Sequence, residues 1–187
     1  MAIVTGNTLP THLADEIEGF FGDGGEWGVR LVYSVEDTPL GTAGSVKQAE
    51  EHLRDDTFLI ISGDALTDID ISAAVDFHQA KGSLATIVLS HVPNPLEFGV
   101  VITDDNGRIR RFLEKPSWGE VFSDTVNTGM YILDPSVFDY MEQGGNYDWS
   151  QDIFPRMLQE EKPIFGFVMQ DYWCDIGSLN QYREAQY

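Results

Sequence analysis

The chain has 187 residues, of which 42% are hydrophobic, so it is long enough to fold as one globular domain with a buried core. Its 31 acidic and 11 basic side chains give a formal net charge of −20, and such a chain repels nucleic acid and anionic membranes. The sequence has no secretion signal, no apolar run near the roughly 20 residues of a membrane span and a single cysteine, so we expect a cytoplasmic protein without a disulfide framework.

The first half of the sequence alternates between strand and helix patterns. Leu13, Ile17 and the Phe20-Phe21 pair recur at helical spacing, and Gly22 is typical of a helix end. Strands alternating with helices predict a parallel, three-layer α/β sheet. The predicted order is strand 2–5, a helix ending at Gly22, strand 29–35, a helix through Ala43 and Leu53 capped by Thr42, strand 57–62, a helix capped by Ser72 and ending at Gly82, and strand 84–90.

After Pro95 the pattern changes to strands joined by turns. Asn106-Gly107 lies between two apolar runs, at 98–103 and 108–116, and predicts a β-hairpin. We expect Phe20, Phe21, Trp149 and Cys174 to be buried, and we expect a single domain over 1–187. Further predicted elements are strands 126–133, 164–170 and 172–177, a helix around 153–159 capped by Ser150, and a last helix with a capping box at Ser178 and Gln181.

Glycines occur at two loops with different meanings. GDGG at 22–25 follows a helix and precedes a strand, the reverse of a phosphate-binding loop, so we interpret it as a helix stop. PLGTAG at 39–44 follows a strand and opens a helix. Because Gly41 and Gly44 have no Cβ atom, a flat ligand can approach the backbone there, and peptide groups can read the edge of a nucleotide base. A plain strand-to-helix turn explains the pattern equally well.

Two aspartates follow apolar strands. Asp64 comes after the run LIIS at 59–62, and Asp175 lies in YWCDIG at 172–177. Ligands of α/β sheets bind beyond the carboxyl ends of the strands, so the two carboxylates can meet there. Two oxygen ligands without His or Cys suit Mg²⁺, which keeps waters and takes substrate phosphates as its other ligands. Either aspartate alone is equally consistent with a cap or turn residue.

EKP at 114–116 ends the second strand of the predicted hairpin. Lys115 can neutralise a phosphate, while its neighbour Glu114 can accept the hydroxyl groups of a sugar. The alternative is a solvated ion pair at the end of a strand. The four histidines have no metal-ligand spacing.

Six motifs in a fixed order resemble those of a known family. At these residues the chain resembles the sugar-1-phosphate nucleotidyltransferases, which implies a Rossmann-like mixed sheet of the nucleotide-diphospho-sugar transferase type. Residues 112–133 and 172–177 are most similar to mannose-1-phosphate guanylyltransferases, with glucose-1-phosphate thymidylyl- and uridylyltransferases as near alternatives. The motifs are PLGTAG at 39–44, SGD at 62–64, FGVV at 98–101, EKP at 114–116, NTGMY at 127–131 and WCDIG at 173–177.

The resemblance implies a role for each motif. Gly41 would contact the nucleotide base, and Asp64 and Asp175 would hold Mg²⁺. Lys115 would lie on the phosphate of the sugar-1-phosphate, as a catalytic residue together with the two aspartates. The substrate-binding residues implied are Gly41, Gly99, Glu114, Lys115 and Asn127.

The reaction implied is an in-line attack by a sugar-1-phosphate oxygen on the α-phosphorus of a nucleoside triphosphate, which expels pyrophosphate. GTP and mannose-1-phosphate are the favoured pair. No covalent enzyme intermediate is needed, so catalysis consists of positioning and charge neutralisation.

One part of the family pattern is not found in this sequence. The family opens with a strand and a glycine-rich loop, GxGTRL, whereas residues 2–7 resemble its second βα unit, so the resemblance implies a sheet lacking the first βα unit. We expect strand 2–5 to pair with strand 57–62, or a homo-oligomer or complementing chain to cover them. Because the missing arginine would be worth roughly 10³–10⁵ in rate, the alternative is a non-catalytic sugar-phosphate or nucleotide-sugar binding module or partner subunit.

Overall fold

The computed structural model describes residues 2–5, 11–95, 98–114 and 123–186, with the backbone alone at 2–5, 11–13, 113 and 114. The chain forms two compact units. The first contains Met1–Asp55 and Phe138–Ile153, and the second contains Asp56–Val137 and Phe154–Tyr187. Among the described residues, no helix has the length and apolar character needed to cross a membrane.

The first unit contains a two-stranded parallel sheet. β1 (Ala2–Thr5) pairs with β2 (Leu31–Ser34), and the helix α1 (Thr11–Phe21) connects the two strands. The prediction that the first strand pairs with 57–62 is therefore wrong. A parallel pair needs a crossover connection, and α1 supplies one that returns the chain beside β1.

Gly22 ends α1 as predicted. Its backbone has φ +54°, and its N–H donates to the carbonyl of Glu18 at 2.8 Å. The prediction that Phe20 and Phe21 lie in the core is wrong, since their side chains are 70% and 39% exposed. The turn after Gly22 brings Trp27 back toward them, so the three rings pack against one another with centroids 4.8–6.2 Å apart.

The helix α2 (Gly41–Gln48) provides the buried face of the first unit. Ala43, Val46 and Ala49 are buried, as their spacing predicts, and Trp149 is confirmed as a core residue at 1% exposure. Thr42 does not cap this helix. The helix begins one residue before it, so its hydroxyl is used elsewhere.

Among its described residues, the second unit is built on a mixed sheet of six strands. The order β7-β6-β8-β5-β9 holds five of them, and β3 pairs with β8. β8 runs antiparallel to β3, β5 and β6, whereas β5 and β9 are parallel. The strands are β3 (Phe58–Ile61), β5 (Ala85–His91), β6 (Gly99–Thr103), β7 (Ile109–Glu114), β8 (Thr125–Leu133) and β9 (Ile164–Val168).

The mixed sheet implied by the family resemblance is confirmed, and the parallel direction predicted for strands of the first half holds for β3 and β5, which both run antiparallel to β8. The hairpin β6–β7 reverses the chain at Gly107, which has φ +79°, and β8 then enters between β3 and β5 in the opposite direction. The sheet is lined by fully buried apolar side chains, among them Ile87, Leu89, Val100, Ile132, Leu133 and Phe154.

In the described part of the second unit the α-helices are α3 (Ile71–Lys81), α4 (Phe154–Gln159) and α5 (Leu179–Glu184). Asp70 caps α3 by accepting the N–H of Ala73 at 3.0 Å, so the prediction of Ser72 as the cap is wrong. Gly82 ends α3 as predicted, with φ +56°. Ser178 caps α5 and accepts the N–H of Gln181 at 3.2 Å, as predicted.

Candidate functional site

Three of the residues predicted to surround a sugar phosphate lie in one row across three neighbouring strands. Gly99, the first residue of β6, lies opposite Glu114, the last residue of β7. Val100 lies opposite Val126 of β8, and this antiparallel register sets Asn127 beside Gly99. We call Glu114, Gly99 and Asn127 the sugar row. Lys115 follows Glu114 in the chain and lies outside the described residues.

The amide of Asn127 is held in one orientation. Its Oδ1 accepts the N–H of Gly129 at 3.0 Å, and its Nδ2 donates to the hydroxyl of Tyr131 at 2.9 Å. Tyr131 is 7% exposed, and its ring packs edge-on against Phe154 with centroids 5.1 Å apart. A buried aromatic side chain therefore fixes the direction in which Asn127 presents its amide.

The SGD and NTGMY motifs meet at Gly129. The N–H of Ser62 donates to the Gly129 carbonyl at 3.3 Å, directly after the pairing of Ile61 with Met130. Gly129 has φ +76°, and a Cβ atom there would lie 2.5 Å from the Ser62 Oγ. Glycine is required at this contact between the two paired strands, and the contact sets the position from which the chain continues to Asp64.

Asp64 and Asp175 lie at adjoining ends of a short antiparallel ladder. β4 (Ala65–Thr67) pairs with β10 (Trp173–Asp175), which sets Asp175 opposite Ala65. The N–H of Ile176 donates to the carbonyl of Asp64 at 2.9 Å. The pKa of Asp175 is raised above its ordinary value of 3.8, first because its carboxyl group is partly desolvated and second because of the nearby charge of Asp64. The structure thus brings the two acids together.

The other two aspartates of the stretch 59–70 have structural roles. Asp68 Oδ1 accepts the N–H of Tyr172 at 2.7 Å and fastens β4 to β10, and Asp70 caps α3. Thr67 adds a hydrogen bond from its hydroxyl to the Tyr172 carbonyl at 2.7 Å. The two bonds to Tyr172 hold the ladder on which Asp64 and Asp175 sit, and the Asp70 cap lies outside that ladder.

The donor set at Asp64 and Asp175 fits a hard divalent cation. In the part of the chain that the structure describes, no three His, Cys, Asp or Glu side chains group together as a metal site. Mg²⁺ needs only one or two protein carboxylates, because it keeps waters and binds substrate phosphates. Two close carboxylates, one with a raised pKa, repel each other, and a cation between them would offset that repulsion.

An aromatic contact joins the acidic pair to the sugar row. The Trp173 ring, in the strand that ends at Asp175, packs against Phe98 with centroids 5.5 Å apart. Phe98 directly precedes Gly99 of the sugar row. Trp173 also packs on the buried residues Val88 and Met130. Its neighbour Cys174 is half-buried, so the prediction of a buried packing thiol is too strong.

The glycines of the PLGTAG loop belong to the first unit and pack against protein backbone. Gly41 has φ +74°, and a Cβ atom there would collide with the carbonyl of Tyr147. At Gly44 it would lie 2.5 Å from the Gly145 carbonyl oxygen. The expectation that a flat ligand uses the space left by these missing Cβ atoms is therefore wrong, because the backbone of 145–147 occupies it. The contact between Gly41 and a base stays a prediction.

Glu36 is a residue of this loop region that sequence reasoning missed. Its Oε2 accepts the N–H of Leu40 at 3.0 Å, just before Gly41. Its Oε1 is buried and has no hydrogen-bond donor among the described residues. The signal in the sequence is a carboxylate five residues before Gly41, the first residue of the helix, a spacing that allows it to accept from the loop backbone.

Lys47 and Arg54, two cations of the first unit, are engaged within the protein. Lys47 is buried, donates to the Phe138 carbonyl at 3.0 Å and pairs with Glu50 at 2.8 Å. Arg54 also pairs with Glu50. Neither side chain is therefore placed to substitute for the arginine of the GxGTRL loop.

Comparison with known proteins identifies the family. The family model described as nucleotidyl transferase matches residues 7–187. The chain belongs to this family. The resemblance to sugar-1-phosphate nucleotidyltransferases, predicted from six motifs, is therefore confirmed.

Two relatives of the family share much of the sequence. The UTP–glucose-1-phosphate uridylyltransferase of Synechocystis sp. is 42% identical in an alignment of 188 positions that covers 94% of this chain and 48% of that protein. The mannose-1-phosphate guanyltransferase of Candida albicans is 39% identical in an alignment of 156 positions that covers 81% of this chain and 42% of that protein. The chain spans about half the length of these relatives.

A solved structure shares the fold. A Bacillus anthracis protein assigned as a glucose-1-phosphate thymidylyltransferase, crystallised with sucrose, superposes with a TM-score of 0.80 at 27% identity. The match covers 91% of this chain and 70% of that one. The mixed α/β sheet of the second unit is therefore the sheet expected of a nucleotidyl transferase.

Proposed function

We propose that this chain forms a sugar-1-phosphate nucleotidyltransferase domain. It transfers a nucleoside monophosphate from a nucleoside triphosphate to a sugar-1-phosphate and releases pyrophosphate. The observation that carries the proposal is the convergence of Asp64 and Asp175 on one strand ladder, with Trp173 linking that ladder to the sugar row. Phosphoryl-type transfer requires acidic ligands for a divalent cation close to the groups that bind the substrate, and the acidic pair and the sugar row provide both at strand ends.

Each side chain has a defined task in this proposal. Glu114 and Asn127 bind sugar hydroxyls, and the hydrogen bonds of Asn127 to Gly129 and Tyr131 orient its amide before the substrate arrives. Lys115 neutralises the phosphate of the sugar-1-phosphate. A phosphate oxygen of that substrate attacks the α-phosphorus, and the bond to the β-phosphate oxygen breaks in line.

Asp64 and Asp175 are the proposed ligands of Mg²⁺. The bound cation supplies positive charge to the α-phosphate, where negative charge accumulates during transfer. The aspartates must be ionised to bind it, and the raised pKa of Asp175 makes this the group that limits binding in acid.

For the substrates, GTP and mannose-1-phosphate are the proposed pair. The similarity of residues 112–133 and 172–177 to mannose-1-phosphate guanylyltransferases supports this choice, as does the Candida albicans relative. UTP and glucose-1-phosphate are the second candidate pair, favoured by the 42% identity to the Synechocystis uridylyltransferase.

A non-catalytic binding module is the second candidate function. It is favoured by the engagement of Lys47 and Arg54 with Glu50, which leaves neither of them to bind a triphosphate. Such a module would keep the sugar row and bind a sugar phosphate or nucleotide sugar without turnover.

Pyrophosphate release tests the proposal. The chain is assayed with Mg²⁺ and each combination of GTP, UTP or dTTP with mannose-1-phosphate or glucose-1-phosphate. The proposal expects release with one matched pair, and loss of at least about a hundredfold in rate in Asp64→Asn and Asp175→Asn. Heat of binding for mannose-1-phosphate or GDP-mannose without any turnover would instead support the binding module.

A further inference from the structure

We propose that Thr42 and Asp148 are positioning residues that hold the PLGTAG loop in the shape that receives the nucleotide. The inference rests on the proposed function and on the predicted contact between Gly41 and the nucleotide base. Neither residue is among the site residues predicted from sequence, and both belong to the first unit.

A direct side-chain bond joins the loop to a distant segment. The Thr42 hydroxyl donates to Asp148 Oδ2 at 2.9 Å, across 106 positions of sequence. The same hydroxyl accepts the N–H of Trp149 at 3.1 Å. Thr42 therefore makes both of its hydrogen bonds to one short segment, and a residue without a hydroxyl would make neither.

Asp148 is itself fixed by the backbone that follows it. Its Oδ1 accepts the N–H groups of Ser150 at 2.8 Å and Gln151 at 2.9 Å, so it caps the helical turn Trp149–Ile153. The prediction of Ser150 as this cap is wrong. Trp149 is 1% exposed and anchors the turn in the core of the first unit. The acceptor offered to Thr42 is therefore held rigidly at the end of a helical turn.

The backbone of the loop is tied to the same segment on either side of Thr42. The N–H of Ala43 donates to the Tyr147 carbonyl at 2.8 Å, and the N–H of Tyr147 donates to the Leu40 carbonyl at 2.9 Å. Asn146 Nδ2 donates to the Pro39 carbonyl at 2.9 Å. Thr42 is the one exposed residue among residues 40–44 of this loop, and its side-chain hydrogen bonds add to those that the backbone makes.

The consequence is pre-organisation of Gly41 for the nucleotide. A loop already held in its binding shape loses less conformational entropy when a ligand orders it. Removing the Thr42 hydroxyl would leave the fold intact but let the loop sample other shapes. The loss would appear in nucleotide affinity, because the sugar-1-phosphate and the reacting phosphates are bound by other residues.

Thr42→Val tests the inference, because it keeps the β-branched shape and removes both bonds. We expect its KM for the nucleoside triphosphate to rise about tenfold, with kcat and the KM for sugar-1-phosphate changed less than about twofold. Thr42→Ser keeps the hydroxyl and should restore the wild-type KM. Asp70→Ala, which removes a carboxylate cap from α3, is the stability-matched control and should leave both KM values unchanged.

Amide hydrogen exchange at residues 41–44 supplies a readout that needs no turnover. We expect faster exchange there in Thr42→Val than in Thr42→Ser, with no change at the strands of the second unit. Equal exchange and equal nucleotide affinity in the two variants would overturn the inference. If the wild-type protein binds nucleotide but releases no pyrophosphate, that result counts against the proposed function alone. Calorimetry then still compares the nucleotide affinity of Thr42→Val with that of Thr42→Ser.

Discussion

Asp175 has a raised pKa because its carboxyl group is partly desolvated and because Asp64 lies beside it. The backbone enforces this proximity, since the carbonyl of Asp64 accepts the N–H of Ile176, the residue after Asp175. Two acids separated by 111 positions in the chain (175 − 64) thus meet at the end of the β4–β10 ladder. Their mutual repulsion is what the proposed cation would offset.

The first prediction concerns the pH dependence of Mg²⁺ binding. Protons compete with the cation for Asp175, so Mg²⁺ affinity should fall as pH drops through the raised pKa, beginning above 3.8. Isothermal titration between pH 7 and pH 4.5 in the presence of nucleotide measures this. Exposed sites such as Asp105 and Asp139 do not contribute, so Asp105→Asn is the matched control. A pH-independent affinity would show that Asp175 is not a ligand.

A linked prediction concerns stability without metal. Because the folded pKa of Asp175 is raised, the folded state binds the proton more tightly than the unfolded state, and the group costs stability as pH rises above 3.8. Asp175→Asn should therefore stabilise the metal-free protein at pH 7, by less than about 1 kcal/mol after solvent screening. The difference should disappear below pH 3.8. Chemical denaturation in EDTA at the two pH values provides the measurement.

Another prediction isolates the orientation of Asn127. Tyr131→Phe removes the hydroxyl that fixes the Asn127 amide and keeps the ring against Phe154. We expect the KM for sugar-1-phosphate to rise about three- to tenfold while the KM for the nucleotide stays constant, the effect of about one hydrogen bond. Steady-state kinetics with each substrate varied in turn checks this. Tyr182→Phe, at an exposed position of α5, is the control, and equal kinetics in both variants would refute the assignment.

Gly129 provides a prediction about the meeting of two motifs. Gly129→Ala places a Cβ atom against Ser62 at a positive φ, so the free energy of unfolding should fall by about 1–3 kcal/mol. Gly19 lies inside α1 with no heavy atom near its missing Cβ, and Gly19→Ala should instead stabilise by about 0.5–1 kcal/mol. Urea denaturation of both variants gives the comparison. If Gly129→Ala left the free energy of unfolding unchanged, Gly129 would not lie against Ser62 as described.

Lys47 tests whether the first unit contributes a phosphate-binding cation. Lys47→Met removes one partner of a buried pair and leaves Glu50 with Arg54, so stability should fall by about 1–3 kcal/mol. The KM for the nucleoside triphosphate should not change, because the ammonium group already binds Phe138 and Glu50. Denaturation and kinetics on the same variant separate the two effects. A selective rise in the nucleotide KM would place Lys47 at the triphosphate.

Local patterns in the sequence predicted most elements of the fold. Features that depend on pairing between distant segments could not be predicted from them. Continuous apolar runs located β3, β5 and β8, but the antiparallel entry of β8 depends on register between strands distant in the chain. β10 lies within the predicted strand 172–177, whereas β4 was missed because three residues, none of them buried, give a weak pattern. The exposure of Phe20 could not be predicted from the sequence, because helical spacing identifies an apolar face but does not show whether another element covers that face.

Two helix caps also differ from those predicted by local sequence patterns. The sequence pattern predicts Ser72 and Ser150 as caps because hydroxyl residues precede apolar helical runs. In both cases an aspartate two residues earlier, Asp70 or Asp148, makes the bonds instead, because a carboxylate is a stronger acceptor and the helix begins sooner. The role of Thr42 depends on this correction, since its partner Asp148 lies 106 positions away.

The account depends most on one cation shared by Asp64 and Asp175. Electron paramagnetic resonance titration with Mn²⁺ in place of Mg²⁺, in the presence of nucleoside triphosphate, counts the bound ions and their affinity. The account predicts one tight ion per chain, lost or weakened at least about tenfold in both Asp64→Asn and Asp175→Asn. Unchanged Mn²⁺ binding in either variant would contradict it.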